Sequence, residues 1–244
     1  MAHPPVTLVR RLDTHRLVPS RHEAGGESVL AAIADDDAHL EAIFALDGAT
    51  NDRLLAEHQR ASDLGLEELV FGVPHARVIN AAFSHPNPLG NRFNGPDRGA
   101  WYAAFDLATS QAEVAFHKSV QLAEIGRFDD TVTYDDYLAD FSAGLHDLRR
   151  GRGFRACLDP ASYVESQALA ERLVTAGSLG IVYPSVRRAG GTCVACFRPA
   201  LVANVRRHRT YRFTWNGAPE PVITMDARPR RGRSEASGDT ADRP

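Results

Sequence analysis

The sequence predicts a mixed α+β fold in which helices flank a largely antiparallel sheet, with a helical extension near the N-terminus. From about residue 71, short β-prone segments alternate with two or three helical segments, and further β-prone segments close the region. No regular βαβαβ succession supports a doubly wound parallel sheet. Residues 27–70 have helical composition. These three observations together predict the fold class.

Three regions are predicted along the chain. Residues 1–70 begin with an irregular lead-in over 1–25, which is polar and contains several prolines. The lead-in is followed by three predicted helices, at 27–35, 39–46 and 51–60. Residues 71–226 form the main domain. Residues 227–244 lack large apolar side chains and are predicted to be a disordered tail.

The main domain is predicted to contain seven short strands and three helices. The strands are expected at 77–83, 100–105, 131–134, 179–183, 192–197, 201–205 and 211–214. The helices are expected at 111–126, 135–148 and 161–176, where the middle segment is ambiguous and the helix is favoured. Asp106, Thr109 and Ser110 are N-cap candidates for the first helix. Asp159 followed by Pro160 predicts the start of the third.

Composition and charge exclude several classes of protein. A chain of 244 residues with 43% hydrophobic side chains can form one large domain with an extension. The net charge of −3 does not indicate a nucleic-acid or membrane-surface protein. No run approaches the ~18 apolar residues of a membrane span, and no apolar signal segment is visible. Three cysteines argue against a disulfide framework. A soluble cytoplasmic protein is expected.

The most informative stretch is Gly90–Glu113. Its first part, GNRFNGPDRG, has the composition of a loop and contains Arg92. A short aromatic strand follows, and then a helix on which Glu113 lies at the edge of the apolar stripe. A half-buried carboxylate is costly unless it is paired or functional. Two interpretations stay open: an ion pair that fastens the loop to the helix, or a functional carboxylate.

Other motifs are weaker. Cys193 and Cys196 lie in a predicted strand, where residues three apart face opposite sides, so core cysteines are favoured over a metal site. His117, one turn after Glu113, has no accompanying HExxH and is interpreted as a surface or helix-edge residue, with a secondary role in a site as the alternative. The basic stretch Arg206–Arg212 is interpreted as a solvated strand edge rather than a phosphate-binding surface. No Walker, Rossmann or nucleophile-elbow motif occurs.

The remaining candidates share chemistry that suits one task. They are Arg77, Arg92, Tyr102, Glu113 and Ser185. Two arginines can bind a pyrophosphate, and a tyrosine can stack on a flat heterocycle. A glutamate can stabilise positive charge developing at an anomeric carbon. A serine at a strand end can bind phosphate or an amide. Such a set suits cleavage of a dinucleotide at its N-glycosidic bond.

Three blocks of the sequence resemble the signature blocks of the RES-domain proteins, a family named for its Arg, Glu and Ser. They are GNRFN, WYAAFDLATSQAEVAFH and GIVYPSVRRAGGTCVACF, and the resemblance covers about residues 71–205 in order. The matching residues are Arg77, Arg92, Tyr102, Glu113 and Ser185, with Arg187 as the arginine of the P-S-x-R block. Asn91 replaces a glycine of the family pattern, and Phe93 replaces its usual tryptophan.

The resemblance implies a fold similar to the ADP-ribosyltransferases and a toxin of a type II toxin–antitoxin pair. Such a protein consumes NAD⁺ as a phosphorylase or glycohydrolase, or transfers ADP-ribose to a protein. NAD⁺ and inorganic phosphate would be substrates, without a metal or other cofactor. The implied partner is an Xre-like antitoxin, through which alone nucleic acid is contacted, and a homodimer or a toxin–antitoxin hetero-oligomer is expected. The rival hypothesis is a non-catalytic nucleic-acid-binding protein that uses Arg149–Arg155 and Arg206–Arg212.

The resemblance also implies roles for the matching residues. Arg77 and Arg92 would bind the dinucleotide phosphates. Tyr102 would pack on the nicotinamide or its ribose, and Glu113 would stabilise the oxocarbenium-like transition state. Ser185 would orient phosphate or nicotinamide, and Arg187 is expected to bind substrate.

Overall fold

A computed structural model describes residues 3–20, 64–150 and 152–226 of the chain. The three helices predicted between residues 27 and 60, and the tail predicted after residue 226, lie outside these ranges. Within the described residues, none of the helices combines the length and the apolar character needed to cross a membrane.

Seven strands and three α-helices are present in the described ranges. The strands are β1 Val6–Pro19, β2 Trp101–Ala104, β3 Asp129–Asp147, β4 Gly180–Pro184, β5 Thr192–Cys196, β6 Ala203–Asn216 and β7 Val222–Met225. The α-helices are α1 Ala76–Ser84, α2 Leu107–Glu124 and α3 Val164–Thr175. Short 3₁₀ helices occur at Leu66–Glu68, Arg152–Leu158 and Pro199–Leu201.

The strands form one mixed sheet in the order β1-β2-β5-β4-β3-β6-β7. The pairing of β3 with β4 is parallel, and the other described pairings between named strands are antiparallel. Because β1 also pairs with β3, the strands β1, β2, β5, β4 and β3 form a closed ring. The predicted mixed, largely antiparallel sheet with flanking helices is therefore confirmed.

The two faces of this ring carry different hydrophobic clusters. One face, called the inner face below, carries a cluster around Trp101, Phe141 and Val194, which α1 joins through Ile79 and Phe83. The outer face carries a second cluster, whose members include Phe93, Leu169, Leu173, Ile181, Tyr183 and Cys193 and which contains the buried side of α3. Alternation along β2, β4 and β5 sends successive side chains to opposite faces. This alternation decides which side chains can reach the outer-face site described below.

The predicted first strand, 77–83, is a helix instead. Ala76, Ile79 and Phe83 are the buried residues of α1, and their spacing of three and four residues matches one face of a helix. The Asn80 side chain bonds both the N–H and the carbonyl of Val70, which fastens α1 to the preceding segment. The β-branched pair Val78-Ile79 favoured a strand locally, but burial of the helical face against the sheet outweighs that propensity.

The helix favoured for 135–148 is wrong, because this segment is the second half of β3. Its inward residues alternate: Tyr137, Ala139, Phe141, Ala143 and Leu145 all belong to the inner cluster. A period of two places the whole set on one face of a strand. The β-prone run 131–134 is thus the start of one long strand, to which β1 and β6 both pair.

The irregular lead-in predicted for 1–25 is wrong for its described part. Val6–Pro19 forms β1, which pairs with β3 from Val6 opposite His146 to Pro19 opposite Tyr134. The predicted domain division at residue 70 therefore separates β1 from the sheet that it completes. The two strands predicted at 201–205 and 211–214 are likewise one continuous strand, β6.

Several local predictions are confirmed. The side chain of Asp106 caps α2 by accepting a hydrogen bond from the Thr109 N–H at 2.9 Å. The strands predicted at 100–105, 179–183 and 192–197 correspond to β2, β4 and β5. The third helix begins at Val164 rather than at 161, because the Asp159 carboxylate accepts from the Ala161 N–H and closes a separate turn first.

Candidate active site

The loop that carries Arg92 has a tightly determined backbone. Gly90 has φ +70, and a Cβ there would lie 2.3 Å from the Asn94 carbonyl oxygen, so only glycine fits. The Asn91 N–H donates to the Asn94 carbonyl at 3.0 Å and closes the loop. This compact turn directs Arg92 into the protein, where it is 6% exposed.

Arg92 is held by backbone carbonyls and one aromatic ring. Its Nη1 donates to the carbonyls of Asp159 at 2.8 Å and Cys157 at 3.2 Å. Its guanidinium lies 4.7 Å from the centre of the Tyr163 ring. Its Nη2 is buried and has no hydrogen-bond partner among the residues that the structure describes. Because an unpaired buried donor costs free energy, this nitrogen is a candidate ligand-binding group.

Tyr102 projects from β2 toward the Arg92 loop. Its hydroxyl accepts a hydrogen bond from the Phe93 N–H at 2.9 Å and donates one to Asn94 Oδ1 at 2.8 Å. Burial raises the pKa of Tyr102 well above its ordinary value, so the hydroxyl keeps its proton at neutral pH. The hydroxyl is therefore engaged with the loop, and only its ring is left to contact a ligand.

Glu113 and Ser185 meet directly, although 72 positions separate them. Ser185 Oγ donates to Glu113 Oε1 at 2.6 Å. The same Oγ accepts from the N–H groups of Arg187 at 3.1 Å and Arg188 at 3.0 Å. Since its acceptor sites serve these two amides, the hydroxyl proton is free to point at Glu113. The serine thus orients the carboxylate.

Cys193 supports the same carboxylate oxygen from the sheet. Its Sγ lies 3.8 Å from Glu113 Oε1. Burial, and next the negative charge of Glu113, raise the pKa of Cys193 well above its ordinary value, so the thiol is protonated and donates. Cys196, three residues on, lies in the inner cluster while Cys193 lies in the outer one. The two cysteines therefore face opposite sides of the sheet, as predicted.

Arg187 spans the site from the loop that follows β4. Its guanidinium lies 3.3 Å from the centre of the Phe116 ring on α2, and its Nη2 donates to the Pro160 carbonyl at 2.7 Å. Its Nε is buried and, among the described residues, has no hydrogen-bond partner. Gly191 lets this loop approach α2, because a Cβ there would lie 2.5 Å from Thr109 Oγ1.

The contacts close into a ring of neighbours on the outer face. Phe93, next to Arg92, packs edge-on against Tyr183 at 4.7 Å, and Tyr183 pairs with Cys193 across the sheet. From Cys193 the contacts continue to Glu113, then to Ser185 and Arg187. The Arg187 side chain bonds the carbonyl of Pro160, which follows Asp159, the residue whose carbonyl accepts from Arg92. The structure therefore brings together five of the six predicted site residues: Arg92, Tyr102, Glu113, Ser185 and Arg187.

Arg77 lies elsewhere. It is an exposed residue of α1, and α1 packs against the inner face through Ile79 and Phe83. Tyr102 and Cys193 belong to the outer-face cluster. Arg77 therefore stands on the side of the sheet opposite to these two residues.

Arg16 is a neighbour of the site that the sequence prediction missed. From β1, its Nη1 donates to the Tyr102 carbonyl at 3.1 Å, and its guanidinium lies 4.8 Å from the centre of the Trp101 ring. Burial lowers the pKa of Arg16 to about 10, so it stays charged at neutral pH. Its Nε is buried and has no hydrogen-bond partner within the described part of the chain. The β-branched residues spread through Val6–Val18 were the available signal for a strand there.

The surroundings of the site bear on two other candidates. His117 lines an open groove of about 310 Å³ between α2 and strands β1 and β3, which none of the six predicted residues lines.

The basic stretch on β6 is paired with acidic side chains: Arg206 with Asp13 and Asp140, Arg207 with Asp135, and Arg212 with Asp226. This pairing leaves little net positive charge for phosphate binding. The expected strand edge is wrong at Tyr211 and Arg212, where β6 pairs with β3 on one side and β7 on the other.

The protein is thus a mixed α+β domain in which the Glu113 carboxylate accepts a hydrogen bond from a serine and lies near arginines with buried, unpaired nitrogens. The chain belongs to the RES domain family, whose model matches residues 69–216. A search of curated proteins finds no match. Among solved structures, the chain is similar to one from the crystal structure of the M. tuberculosis MbcT–MbcA toxin–antitoxin complex. The identity is 16%, the match covers 55% of this chain and 75% of the other, and the TM-score is 0.40.

Proposed function

We propose that this protein is an NAD⁺-degrading toxin of a type II toxin–antitoxin pair that cleaves the bond between nicotinamide and ribose. The observation that carries the proposal is the arrangement around the Glu113 carboxylate. Ser185 Oγ donates to this carboxylate at 2.6 Å, and the same set of contacting residues includes two arginines, each with a buried nitrogen that has no hydrogen-bond partner among the described residues. Membership of the RES domain family supports the toxin class. The proposed partner is an Xre-like antitoxin.

The arginine donors suit the phosphates of a dinucleotide. Arg92 Nη2 and Arg187 Nε are both buried and, within the described residues, have no hydrogen-bond partner. Phosphate oxygens accept charge-assisted hydrogen bonds from guanidinium groups, often through two nitrogens at once. A bound pyrophosphate, or an attacking inorganic phosphate, would therefore satisfy groups that the folded chain leaves unpaired. Arg16 is a further candidate phosphate ligand, because its Nη1 bonds the Tyr102 backbone carbonyl and its buried Nε has no hydrogen-bond partner among the described residues.

The Glu113 carboxylate supplies the charge that the reaction needs. As the C–N bond breaks, nicotinamide leaves as a neutral molecule with the bonding electron pair, and positive charge develops at the anomeric carbon. A fixed carboxylate beside that carbon stabilises the transition state without reorganisation. Because the leaving group is neutral on departure, no acid is required to protonate it. Phosphate or water then attacks and gives ADP-ribose 1″-phosphate or ADP-ribose, and the proton of an attacking water passes to Glu113 or to solvent.

Tyr102 and Ser185 have supporting roles in this proposal. The Tyr102 ring lies on the outer face and would pack on the nicotinamide or its ribose, while its hydroxyl holds the loop. Ser185 orients the carboxylate, and its Oγ is itself held in place by hydrogen bonds from the N–H groups of Arg187 and Arg188. The transfer of ADP-ribose to a protein uses the same C–N cleavage and differs only in the acceptor.

Product analysis tests the proposal. The purified protein is incubated with NAD⁺, with and without inorganic phosphate, and products are identified by chromatography and mass spectrometry. Release of nicotinamide with ADP-ribose 1″-phosphate or ADP-ribose is expected. A mass increase on a protein instead identifies the transferase alternative. Failure of the folded protein to release nicotinamide under any of these conditions would overturn the proposal.

A further inference from the structure

The loop around Arg92 is fastened from two opposite sides, and one of the two fastening residues is not among the predicted site residues. We propose that Gln167, on α3, is a positioning residue that sets the location of Arg92 together with the Tyr102 hydroxyl. The inference rests on the proposed function in one respect, that Arg92 binds substrate phosphate.

Gln167 uses both hydrogens of its side-chain amide on this loop. Its Nε2 donates to the carbonyls of Leu89 at 3.0 Å and Asn91 at 3.1 Å. The amide approaches so closely that a Cβ on Gly90 would lie 2.7 Å from it. The loop therefore needs a glycine at this position both for its positive φ and for contact with α3.

α3 is itself a rigid support. Leu169 and Leu173 are 1% and 0% exposed in the outer cluster. Just before α3, the ring of Tyr163 packs against the Arg92 guanidinium. The Ser166 hydroxyl donates a hydrogen bond to the Tyr163 carbonyl at 2.9 Å. One end of α3 thus contacts both the backbone of the loop and the side chain of Arg92.

The second support comes from β2. The Tyr102 hydroxyl accepts from the Phe93 N–H and donates to Asn94 Oδ1. Gln167 therefore fixes the residue before Arg92, through the Asn91 carbonyl, and Tyr102 fixes the residue after it. Anchoring both neighbours determines where the Cα of Arg92 lies and hence where its unpaired Nη2 points.

Position matters here because Arg92 has little freedom to adjust. Its Nη1 is committed to two backbone carbonyls, so a shift of the loop moves Nη2 away from a bound phosphate. Displacement of a binding group by about 1 Å can cost up to about 10²-fold in kcat/KM. Supporting residues of this kind decide whether a site keeps its productive geometry.

The matched test uses Gln167→Met, which keeps the length of the side chain and removes both donors. The control is Glu171→Gln, an exposed position one turn further along α3. With NAD⁺ as substrate, Gln167→Met should raise KM about tenfold while kcat changes less than threefold, because phosphate binding is weakened in the ground and transition states alike. Glu171→Gln should leave both constants unchanged.

A second measurement does not depend on activity. Amide hydrogen exchange is followed at Phe93, whose N–H is bonded to Tyr102, and at Asn91, whose N–H closes the loop. Gln167→Met and Tyr102→Phe should each accelerate exchange at these amides at least tenfold and leave exchange in β3 unchanged. If the wild-type protein releases no nicotinamide, the proposed function fails, and the exchange experiment still decides whether the two-sided support exists.

Gln167→Glu adds a pH signature. The new carboxylate would face two carbonyl oxygens, which raises its pKa and makes the charged form repulsive. Relative to wild type at each pH, the KM defect of Gln167→Glu should shrink as pH falls and the carboxyl group becomes protonated. The defect of Gln167→Met should be independent of pH. An unchanged KM with unchanged loop exchange, or a uniform loss of stability with exchange raised throughout, would overturn the positioning role.

Discussion

Replacing Glu113 by glutamine removes one negative charge and keeps the hydrogen-bond frame around it. Ser185 Oγ, which donates to Glu113 Oε1 at 2.6 Å, can donate equally to the amide oxygen of a glutamine. The Cys193 thiol keeps the same acceptor. Because shape and hydrogen bonds are preserved, the midpoint of thermal unfolding should change little. The substitution therefore isolates the charge.

The size of the effect follows from electrostatics. Opposite unit charges about 4 Å apart attract by about 4 kcal/mol at an effective dielectric constant of about 20, which corresponds to about 10³ in rate. Charge at the anomeric carbon develops only partly in the transition state. The expected loss in kcat for nicotinamide release is therefore about 10² to 10³, the range found for a single oriented electrostatic contact.

The assay follows nicotinamide release under initial-rate conditions for wild type and Glu113→Gln, with circular dichroism and thermal unfolding on the same samples. KM should change less than kcat, because the carboxylate acts on charge that appears only in the transition state. A folded Glu113→Gln protein that retains more than about a tenth of the wild-type kcat would refute the assigned role.

Three further predictions test other contacts of the structure. Ser185→Ala leaves the carboxylate without its hydroxyl donor, and kcat for nicotinamide release should fall about tenfold; an unchanged kcat would contradict the orienting role. Arg16→Ala should raise KM for NAD⁺ more than Arg77→Ala, because the Arg16 Nε is buried beside the Tyr102 backbone without a partner among the described residues while Arg77 is exposed, and equal effects would remove the preference for Arg16. The hydrogen bond from Arg98 is the main cause that lowers the pKa of Glu68 to about 2. Since the folded pKa lies below the unfolded one, Glu68 stabilises the protein above about pH 4.5 and loses this contribution as pH falls to 2. The difference in thermal midpoint between wild type and Glu68→Gln should therefore be large at pH 5 and vanish near pH 2, and a constant difference would contradict it.

Local signals in the sequence predicted the part of the fold that depends on neighbouring residues. β2, the Asp106 cap of α2, β4 and β5 all follow from patterns within a few residues. These elements also carry or precede Tyr102, Glu113 and Ser185, so the sequence could name these three residues, whose roles in a site stay predictions.

The errors occur where distant strands decide the outcome. β1 is polar and proline-flanked, and it is a strand because it lies along β3, more than 110 positions away. In the second half of β3, two adjacent acidic residues, Asp135 and Asp136, precede the apolar residues. They obscure the alternation of inward and outward side chains that would indicate a strand. In the structure both carboxylates are buried and paired, Asp136 with His15 and Asp135 with Arg207. Partners of this kind cannot be read from a single segment.

The sequence could not point to Arg16 for the same reason. The resemblance located an arginine before the GNRFN block within the contiguous match, but Arg16, on β1, is the arginine that contacts Tyr102. Closure of the strand ring brings Arg16 to Tyr102, and that closure depends on the pairing of β1 with both β2 and β3.

The closed ring has a practical consequence for anyone who shortens this protein. The family match begins at residue 69, yet a polypeptide started there would lack β1 and leave one edge of β3, the edge that faces β1, unpaired from Tyr134 to His146. A long bare strand edge attracts other chains through its free N–H and carbonyl groups. Such a fragment would self-associate rather than stay monodisperse, and it would also have discarded Arg16. Val6–Pro19 therefore belongs to the same sheet as the segment that identifies the family.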